Sequence, residues 1–477
     1  MKVLVINEPF IKNFCRCQRW PARTRGRALR PPDWLAYVTA VLEKEGIDVE
    51  LYDFVAERWG KDKLRYLVKD KRPDFVILDS TTPSIYSDIK CAQIIKEVSS
   101  AKVIMVGTHI SALPEETLQL AQGAVDVGCI GEFDYTVLDV IENFDNLDKV
   151  KGIAYWKNGK VVKTQPRPLI ENLDDLPFPA WRHIDIMKYF DATRLYPYID
   201  IIGGRGCPFK CIFCQWPQLM YGNKYRLRSP KNIVDEIEYD LKIFPQLKRG
   251  EFFFEDDTFT VNKERAFLIC EEIRRRNLKI TWSANARPDI YDVKLFKEMR
   301  KAGCRELLVG FESGSQDILN NIKKDYRIEE AYKFMEATRK AGIEVHGCFV
   351  LGLPGENKET IRRTINFALS LGVNTLQFSA ALPLPGTEYF EWCKNKGLLK
   401  SKDWRDWLRG NEQGAVVDYE NLTIQEINKA VDEGLKKFYL NPKFIFKFIF
   451  KNRNWNDLYR KIRGGLNFLE YLFKKYI

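Results

Sequence analysis

The stretch GGRGCPFKCIFCQW, residues 203–216, places Cys207, Cys211 and Cys214 in a C-x3-C-x2-C spacing. No fourth cysteine follows at a matching interval, and the nearest histidine, His183, lies well upstream. Three thiolates can bind three irons of a [4Fe-4S] cluster and leave one iron without a protein ligand. An open metal position is typical of catalytic sites. The spacing therefore predicts a cluster that binds a substrate or cofactor through iron; the alternative is a zinc knuckle or three buried cysteines.

Around this triad the sequence resembles the radical S-adenosylmethionine (radical SAM) superfamily. In that family the cysteines lie on the loop after the first strand of a barrel, and an aromatic residue often precedes the third one. Here that residue is Phe213, the apolar run Tyr198–Ile202 would supply the strand, and the glycines that follow would supply the turn. The resemblance implies that S-adenosylmethionine binds the open iron, with Phe213 beside it.

Strand and helix patterns alternate from about residue 198 onward. Six strands are expected, at Tyr198–Ile202, Glu251–Phe254, Ile280–Ser283, Leu307–Val309, Val345–Leu351 and Thr375–Phe378. Helices are expected between them, at Ile233–Ile243, Lys263–Arg276, Tyr291–Ala302, Ile328–Ala341 and Thr360–Leu371. These units match the partial (β/α)6 barrel of the family, in which working residues gather at the carboxyl ends of the strands.

Polar segments follow these predicted strands. By analogy with the family, Glu312 and Ser313 are candidates to bind the ribose or the methionine carboxylate of S-adenosylmethionine, and the loop around Gly352 would lie against the adenine. The alternative role for a carboxylate here is a helix cap or a salt bridge of the barrel. Asp256 and Asp257 are adjacent, so at most one of them should face the barrel interior.

The first 145 residues carry five further strand patterns with helical patterns between them. The strands are expected at Val3–Ile6, Val49–Tyr52, Phe75–Leu78, Val103–Val106 and Val125–Ile130. The helices are expected at Trp34–Glu45, Lys61–Lys69, Ile89–Val98 and Pro114–Ala121, with another after Tyr135. This alternation predicts a doubly wound parallel sheet, which binds ligands at the carboxyl ends of its strands.

The loops at those ends resemble the cobalamin-binding domain that precedes many radical SAM barrels. The segments GTHISALPEE from Gly107, IGEFDYT from Ile130 and RPPDWLAYVTAVLEKEGIDVELYD from Arg30 carry the resemblance. It implies cobalamin contacts from Ser80, Thr81, Gly107, Thr108, His109, Gly131 and Glu132. The aspartate-x-histidine-x-x-glycine motif that supplies a lower cobalt ligand in other cobalamin domains is absent, so no histidine ligand is expected. The alternatives are an inherited sheet without a ligand and, for His109, a loop or capping role.

A connector and a C-terminal region complete the organisation. GIAYWKNGKVVKT, from Gly152, predicts a hairpin that turns at Asn158-Gly159, and a proline-rich linker follows it. The chain is therefore divided into a cobalamin-binding-like α/β domain (1–145), a hairpin and linker (146–195), a radical SAM partial barrel (196–385) and a helical C-terminal region (386–477). The fold class is α/β throughout the first and third segments.

The C-terminal tail is basic and aromatic. Residues 441–477 contain nine lysines and arginines, two acidic residues and ten aromatic residues, and Lys443, Lys447 and Lys451 recur at helical spacing. Such a helix could lie on an anionic membrane surface. The alternative is a helix packed across the barrel with its lysines outward. Nucleic acid is not expected, because the basic residues alternate with aliphatic ones and no RNA-binding module is visible.

Composition fits a soluble globular protein. The chain has 477 residues, of which 45% are hydrophobic and 30% charged, and it opens with the strand pattern MKVLVINEP. No signal peptide or spanning segment is visible, so a cytoplasmic location is expected, with peripheral contact to the inner membrane face as an option. Most of the eleven cysteines should be reduced packing residues. Cys15 and Cys17, in a basic loop, could be reactive or incidental.

Together these features predict a cobalamin-dependent radical SAM enzyme with a [4Fe-4S] cluster, S-adenosylmethionine and cobalamin as cofactors. We expect it to methylate an unactivated carbon of a small-molecule or lipid substrate and to take electrons from a donor such as flavodoxin or ferredoxin. Three alternatives stay open. They are oxidative cyclisation or C–C bond formation, as in the anaerobic porphyrin cyclases, a radical SAM enzyme with a vestigial cobalamin domain, and a cluster-bearing binding protein without turnover. No catalytic acid or base can be named.

Overall fold

The computed structural model describes residues 1–16, 21–401, 403–409, 412–442, 444–446 and 455–474. Two parallel sheets with helices on their faces account for most of this chain, as the sequence predicts. Cys17 and the three lysines Lys443, Lys447 and Lys451, on which two of the predictions rest, lie outside the described residues.

The first sheet has seven strands in the order β2-β1-β3-β4-β5-β6-β7. Its strands are β1 (Lys2–Asn7), β2 (Asp48–Asp53), β3 (Phe75–Ser80), β4 (Lys102–Gly107), β5 (Val127–Cys129), β6 (Ile153–Lys157) and β7 (Lys160–Lys163). The first five pair in parallel. Strands β1, β3 and β4 are almost wholly buried, which explains their near-continuous apolar sequences.

Seven helices pack with this sheet. They are α1 (Asp33–Lys44), α2 (Phe54–Glu57), α3 (Lys61–Lys71), α4 (Ile85–Val98), α5 (Thr108–Ala112), α6 (Pro114–Ala121) and α7 (Asp134–Glu142). The strand order reverses direction between β1 and β3, so the topological switch point lies at their carboxyl ends. The strands and longer helices match the sequence prediction to within a few residues at each end.

The predicted hairpin belongs to this sheet rather than to a free connector. Asn158 and Gly159 both have positive φ, 49° and 77°, as a two-residue turn of this kind requires. Strand β6 pairs antiparallel with β5 and with β7, so the hairpin extends the sheet by two strands. The sheet therefore continues to Lys163, past the position at which the sequence suggested a linker.

The second sheet is the predicted partial barrel. After β8 (Tyr198–Ile201), the short strands β9 (Gly204–Arg205) and β10 (Arg226–Leu227) pair with each other. The remaining strands are β11 (Glu251–Phe254), β12 (Trp282–Ala286), β13 (Cys304–Glu312), β14 (Glu344–Leu351) and β15 (Thr375–Ala380). The order is β15-β14-β13-β12-β11-β8, all parallel. Because β8 and β15 do not pair, the barrel has an open side.

The helices of the second half surround this sheet and close its open side. They are α8 (Pro230–Ile243), α9 (Lys263–Arg275), α10 (Val293–Lys301), α11 (Gln316–Asn321), α12 (Ile328–Ala341), α13 (Lys358–Ser370), α14 (Glu388–Asn395), α15 (Ile424–Tyr439) and the C-terminal helix Trp455–Lys474. Tyr439 joins α15 to the edge strand β15, since its hydroxyl accepts from Leu376 N at 3.2 Å. Among the described residues, no helix is both long and apolar enough to cross a bilayer.

A buried ion-pair cluster joins the two halves. The guanidinium of Arg205, on β9, donates to Glu132 Oε1 at 2.9 Å and to both carboxylate oxygens of Asp134 at 2.6 and 3.0 Å. Arg226, on β10, donates to Glu132 Oε2 at 2.8 Å. All four side chains are buried, so these charges compensate one another away from water. The cluster fixes the carboxyl edge of the first sheet against the start of the barrel.

Candidate functional site

A cavity of about 810 Å³ occupies the interior of the barrel and reaches the C-terminal helices. Residues of β14 (His346, Cys348, Phe349 and Val350) and of β15 (Thr375, Leu376, Gln377, Phe378 and Ser379) line it. Cys348 therefore faces the cavity and is not the plain packing residue that the sequence suggested.

Cys207, Cys211 and Cys214 all lie on the wall of this cavity. Each is half-buried. Gly206 shapes the start of their loop: its φ is 89°, and a side-chain Cβ there would come within 2.3 Å of the Lys224 carbonyl. The triad is thus presented on a tight loop that faces enclosed space.

Two side-chain amides hold this loop through its carbonyls. Asn223 donates to the carbonyls of Cys207 and Phe209 at 3.1 and 3.0 Å. Gln218 donates to the carbonyls of Ile212 and Cys214 at 3.1 and 2.8 Å. Because the amides bind main-chain atoms, they order the backbone from which the thiols project. Sequence inspection did not identify either amide, since their partners are defined by the folded loop.

The triad fits a cluster better than it fits a single ion. Among the described residues, no three His, Cys, Asp or Glu side chains converge closely enough to hold one metal ion. A [4Fe-4S] cluster does not require that convergence, because each thiolate binds a different iron. The shared cavity wall and the ordered loop therefore suit a cluster.

Arg287 lies beside the triad and was missed by sequence inspection. Its Nη1 is 3.8 Å from Sγ of Cys211, and its guanidinium stacks 3.5 Å above the Phe209 ring. Burial disfavours its charge, but the Asp289 carboxylate, at 2.9 Å, raises the pKa of Arg287 above its ordinary value. A permanent positive charge therefore faces the cysteine loop.

Glu312 also faces the cavity, as predicted for a residue that contacts S-adenosylmethionine. It has a φ of 62°, unusual for a residue with a side chain, and it sits at an irregularity in the β13–β14 pairing. Lys324 Nζ donates to Glu312 Oε1 at 2.8 Å. Burial opposes the charge of Lys324, but the Glu312 carboxylate raises the pKa of the Lys324 ammonium above its usual value.

The other residues predicted to bind S-adenosylmethionine differ in whether they line the cavity. Phe213 lines the cavity. Ser313 and Gly352 are not among the lining residues, and their contacts with S-adenosylmethionine stay predictions. The Ser313 hydroxyl is 3.1 Å from Thr364 Oγ1 and packs toward α13. The Gly352 carbonyl accepts from the hydroxyls of Tyr389 and Tyr419, and a Cβ at Gly352 would lie 2.9 Å from Ile427 of α15.

Of the adjacent pair, only Asp257 lines the cavity, as the alternation predicts. Asp256 points away and accepts from Gly203 N at 2.6 Å and from the Tyr225 hydroxyl at 3.0 Å. It therefore helps to hold the glycine turn that leads to the cysteine loop.

A second cluster of charged side chains lies at the cavity beside the edge strand β8. Arg30 donates to Asp191 at 3.2 Å and lies 3.8 Å from Glu255. Behind them, Asp200 on β8 is fully buried, and burial together with Glu255 raises the pKa of its carboxyl to about 7. Burial likewise raises the pKa of Asp33, which reaches this group from the first sheet's helix α1. Sequence inspection did not identify these carboxyls, because they come from four distant segments.

The residues predicted to bind cobalamin lie at the carboxyl edge of the first sheet. Thr81, Gly107 and Thr108 line a small cavity of about 10 Å³ there. The Ser80 hydroxyl donates to the Val106 carbonyl at 2.7 Å, and Gly131 N donates to Ser111 Oγ at 3.0 Å. Gly107 has a φ of 100°, and a Cβ there would approach Asp79 Oδ1 within 2.1 Å.

Glu132, a predicted cobalamin contact, is engaged by other groups of the protein. Both of its carboxylate oxygens are engaged, one by Arg205 and one by Arg226, and Oε2 also accepts from Ile170 N. The side chain is buried within the ion-pair cluster that joins the two halves. Its role in this structure is to connect the first sheet to the barrel.

His109 and Thr108 each carry a buried polar atom at this edge that has no hydrogen-bond partner among the described residues. His109 Nδ1 is 3.1 Å from Thr82 Oγ1, whereas His109 Nε2 and Thr108 Oγ1 are buried without a hydrogen bond. Burial lowers the pKa of His109 to about 3, so the imidazole is neutral. Unsatisfied buried polar atoms at the ligand edge of a doubly wound sheet are the feature expected where a polar cofactor binds.

Aromatic side chains fill the space in front of these atoms. Trp34 packs edge-to-face on Trp216 at 4.9 Å and stacks on Tyr221 at 4.5 Å. Trp216 and Met220 follow the cysteine loop directly, so this contact closes the sheet edge against the barrel. The buried polar atoms suit a corrinoid, and Trp34 and Trp216 line the same small cavity.

Comparisons with known proteins agree with this arrangement. Residues 28–141 match the B12 binding domain and residues 201–368 match the Radical SAM superfamily. The chain is 32% identical to an uncharacterised methyltransferase of Pyrococcus horikoshii, over 91% of this chain and 93% of the relative. It is 29% identical to the anaerobic magnesium-protoporphyrin IX monomethyl ester cyclase of Rubrivivax gelatinosus, over 87% and 75%.

Two solved structures share the fold across nearly the whole chain. TsrM from Kitasatospora setae, a radical S-adenosylmethionine methyltransferase with cobalamin and a [4Fe-4S] cluster bound, superposes with a TM-score of 0.75 at 16% identity, covering 99% of each chain. The cobalamin-dependent S-adenosylmethionine radical enzyme OxsB superposes with a TM-score of 0.73 at 17% identity, covering 99% of this chain and 72% of OxsB. The predicted fold class and family are confirmed. The chain belongs to the cobalamin-binding branch of the radical SAM superfamily, whose cofactors are a [4Fe-4S] cluster, S-adenosylmethionine and cobalamin.

Proposed function

We propose that this protein methylates an unactivated carbon of a substrate held in the barrel cavity. The observation that carries the proposal is that Cys207, Cys211 and Cys214 share the wall of one cavity of about 810 Å³ with Glu312 and Arg287. A cluster on this loop would face a space large enough for S-adenosylmethionine and part of a substrate. The similarity to a methyltransferase along almost the full chain supports the same reaction class.

In this proposal the three thiolates hold three irons and Arg287 stabilises the negative charge of the loop. Glu312 and Lys324 offer opposite charges 2.8 Å apart within the same cavity wall. The Glu312 carboxylate suits the ammonium group of S-adenosylmethionine and the Lys324 ammonium suits its carboxylate. Phe213 supplies an apolar contact next to them.

When bound, the cluster and cobalamin supply, respectively, the electron that cleaves S-adenosylmethionine to a 5′-deoxyadenosyl radical and the methyl group that the substrate radical receives. The protein positions the reactants and keeps water away. The buried wall residues Leu308, Phe349 and Phe378 do the latter. His346 lines the same wall, and burial lowers its pKa to about 3, so it adds no charge near a radical.

At the sheet edge, Thr108 Oγ1 and His109 Nε2 would bind polar groups of cobalamin, with Thr81, Gly107 and Gly131 beside them. His109 is proposed as a hydrogen-bonding residue and not as a cobalt ligand, because its context differs from the ligand motif. For the ring to bind, Trp34 and Trp216 would separate.

The partners follow from the chemistry. Relatives are named for methylating cytidylyl-2-hydroxyethylphosphonate and bacteriochlorophyllide d, which are small molecules, and a small-molecule substrate is proposed here too. An electron donor such as flavodoxin or ferredoxin would reduce the cluster.

A second candidate is oxidative cyclisation, because the cyclase of Rubrivivax gelatinosus aligns with 87% of this chain. The two reactions differ in the product. Methylation adds one carbon that comes from the methyl group of S-adenosylmethionine, whereas cyclisation adds no carbon and removes hydrogen.

The test is anaerobic reconstitution with iron, sulfide and cobalamin, followed by reduction in the presence of S-adenosylmethionine and a cell extract. The proposal expects 5′-deoxyadenosine and a product that is heavier by one methylene unit. Formation of 5′-deoxyadenosine with a product that has lost hydrogen would favour the cyclase. No 5′-deoxyadenosine from a cluster-replete protein would contradict both.

A further inference from the structure

The C-terminal helix, Trp455–Lys474, packs on the barrel through a face that carries polar side chains. Asp457 and Arg460 are buried, Arg460 Nε donates to Asp457 Oδ1 at 2.8 Å, and Arg460 Nη1 donates to the Ala192 carbonyl at 2.7 Å. One turn further on, Gly464 lies so close to Ala192 that a Cβ at Gly464 would be 2.8 Å from the Ala192 Cβ. The helix is therefore fixed on the barrel by polar and close backbone contacts.

The contacts continue along the same face. Asn467 Nδ2 donates to the Gly26 carbonyl at 3.2 Å, and the Tyr471 hydroxyl donates to Asp432 Oδ1 at 2.5 Å. Positions 457, 460, 464, 467 and 471 recur at the spacing of one helix face. The orientation of the helix is therefore set over its whole described length.

The opposite face is apolar and exposed. It carries Trp455 (83% exposed), Tyr459 (46%), Ile462 (54%), Leu466 (61%) and Leu469 (42%), which we call the outer stripe. Surface helices of proteins in water show the reverse pattern, with the apolar side chains facing the core. A contiguous exposed apolar stripe is typical of a surface that binds something apolar.

The outer stripe is continuous with the cavity. Ile462, Leu466 and Leu469 belong to the stripe and also line the cavity. Further apolar side chains of the same lining lead inward, from Phe444 and Leu435 to Leu376 of β15. Apolar side chains therefore lie both on the stripe and along the cavity wall that leads to β15.

The net charge of the C-terminal tail indicates which apolar surface the stripe binds. Residues 441–477 hold nine lysines and arginines against two acidic residues, which is +7 of the formal +11 of the chain. A basic sequence together with an exposed apolar helix face is the combination that binds anionic bilayers.

We propose that the outer stripe binds the surface of an anionic bilayer and that the substrate enters the cavity from the lipid phase as an amphiphile with a long apolar chain. The part that concerns the substrate rests on the proposed methyl transfer in this cavity. The membrane part stands without it, because binding to vesicles needs no turnover.

The membrane part is tested by flotation of the reconstituted full-length protein with vesicles of phosphatidylcholine and of phosphatidylcholine mixed equally with phosphatidylglycerol. The parent should float with the mixed vesicles. The double variant Ile462→Glu with Leu466→Glu should lower the vesicle-bound fraction at least tenfold. The matched control is Phe267→Glu with Leu268→Glu on α9, where both parent residues are similarly exposed, at 43% and 42%. The control should float like the parent.

Equal flotation of the stripe variant would overturn the membrane proposal. So would a parent that stays in solution with both vesicle types. If the stripe variant instead converts a dimer into a monomer in solution, the stripe binds a second copy and the proposal is wrong. Thermal unfolding checks that the stripe variant is folded, and the milder variant Trp455→Ser replaces it if it is not.

The substrate part is tested by the fluorescence of parinaric acid, an apolar-chain probe, added to the same reconstituted protein. Saturable binding is expected. Gly465 lines the cavity, and a Cβ at this position meets nothing within 4 Å, so Gly465→Phe can obstruct the opening without strain. This variant should weaken probe binding at least fivefold, whereas Gly60→Phe, outside the cavity and equally unhindered, should not.

Absence of saturable binding, or equal binding by the Gly465 variant, would overturn the lipid substrate. Vesicle flotation and probe fluorescence both measure binding. A negative result in either one therefore does not bear on the methyl-transfer proposal. Conversely, a protein that binds vesicles and probe but forms no 5′-deoxyadenosine would overturn the proposed reaction and leave the membrane face in place.

Discussion

The guanidinium of Arg287 lies 3.8 Å from Sγ of Cys211 and is held there by Asp289 and by the Phe209 ring. This contact places a buried cation at the loop that carries the three cysteines. A positive charge stabilises thiolates and any electron added to a cluster that they bind. Arg287 therefore links the fold of the barrel to the redox property that the proposed reaction needs.

We predict that replacing Arg287 with Gln leaves a cluster bound but makes it harder to reduce. The midpoint potential should fall by on the order of tens of millivolts, because one nearby positive charge is lost. Arg287→Lys should retain most of the potential. Redox titration followed by electron paramagnetic resonance measures both. A potential unchanged in the Gln variant would show that the cation does not act on the cluster.

Each cysteine of the triad should be needed for the cluster. Cys207→Ala, Cys211→Ala and Cys214→Ala should each lose the iron–sulfur absorption and at least 100-fold of 5′-deoxyadenosine formation, a loss of about 3 kcal/mol in transition-state stabilisation. Cys270 and Cys304 are buried away from the cavity and serve as controls. Their Ala variants should lose stability at most. A triad variant with full activity would contradict the assignment.

Corrinoid binding should depend on the carboxyl edge of the first sheet. Thr108→Val and His109→Phe should lower the corrinoid content of the purified protein several-fold, because each removes a buried polar atom that has no partner in the protein. Gly107→Val should lower it too, but through strain, since its Cβ would collide with Asp79. Absorption spectra measure the content, and 5′-deoxyadenosine formation should survive in part.

The same site predicts a change in fluorescence. If cobalamin takes the place between Trp34 and Trp216, their edge-to-face contact at 4.9 Å must break. Tryptophan emission should therefore change on addition of cobalamin, and Trp216→Phe should remove much of the change. Stoichiometric cobalamin binding with unaltered emission in both proteins would place the corrinoid elsewhere.

Stability should depend on pH through Asp200. Its pKa is raised to about 7 in the folded protein, so between an ordinary value of about 4 and this value the folded state holds a proton that the unfolded chain has released. Stability contributed by this group falls as pH rises through that window, by up to about 4 kcal/mol. In Asp200→Asn the side chain is neutral at every pH. The stability of this variant relative to the parent, measured by thermal unfolding, should therefore increase from about pH 5 to pH 8.

The control for that experiment is Asp62→Asn, at an exposed position of α3, which should show no such trend. An Asp200→Asn variant whose difference from the parent is constant across the pH range would mean that Asp200 does not titrate there.

The junction of the two halves should be sensitive to Arg205. Arg205→Ala leaves Asp134 and part of Glu132 buried without their cation, and should destabilise the protein by about 3–5 kcal/mol in denaturant unfolding. Arg405→Ala removes a surface ion pair with Asp403 and should cost less than about 1 kcal/mol. Equal effects would show that the buried cluster does not hold the domains together.

Much of the fold could be predicted because its strands coincide with short apolar runs in the sequence, separated by helical patterns. The runs at β1, β3, β4, β11 and β14 were placed to within two residues. The hairpin was recognised from Asn158-Gly159, yet its attachment to β5 was not, since the pairing partner lies on a strand separated by a helix. Local pattern therefore predicted the elements and only part of their assembly.

The site residues likewise include some that local sequence predicted and some that it did not. Cys207, Cys211 and Cys214 were predicted because their spacing is local, and the structure brings them to one cavity wall. Arg287 and Lys324 were missed because they reach that wall from loops far along the chain. Glu132 was assigned to cobalamin from a local glycine–glutamate turn, but Arg205 and Arg226 approach it only in the folded protein.

The central claim is that this protein transfers a methyl group from S-adenosylmethionine to carbon by radical chemistry. The most direct measurement uses S-adenosylmethionine labelled with ¹³C in its methyl group, with anaerobic reconstituted enzyme, cobalamin and an extract that contains membranes. We expect a product that carries the label on carbon, together with 5′-deoxyadenosine in at least equal amount. A product without the label, formed together with 5′-deoxyadenosine, would contradict it.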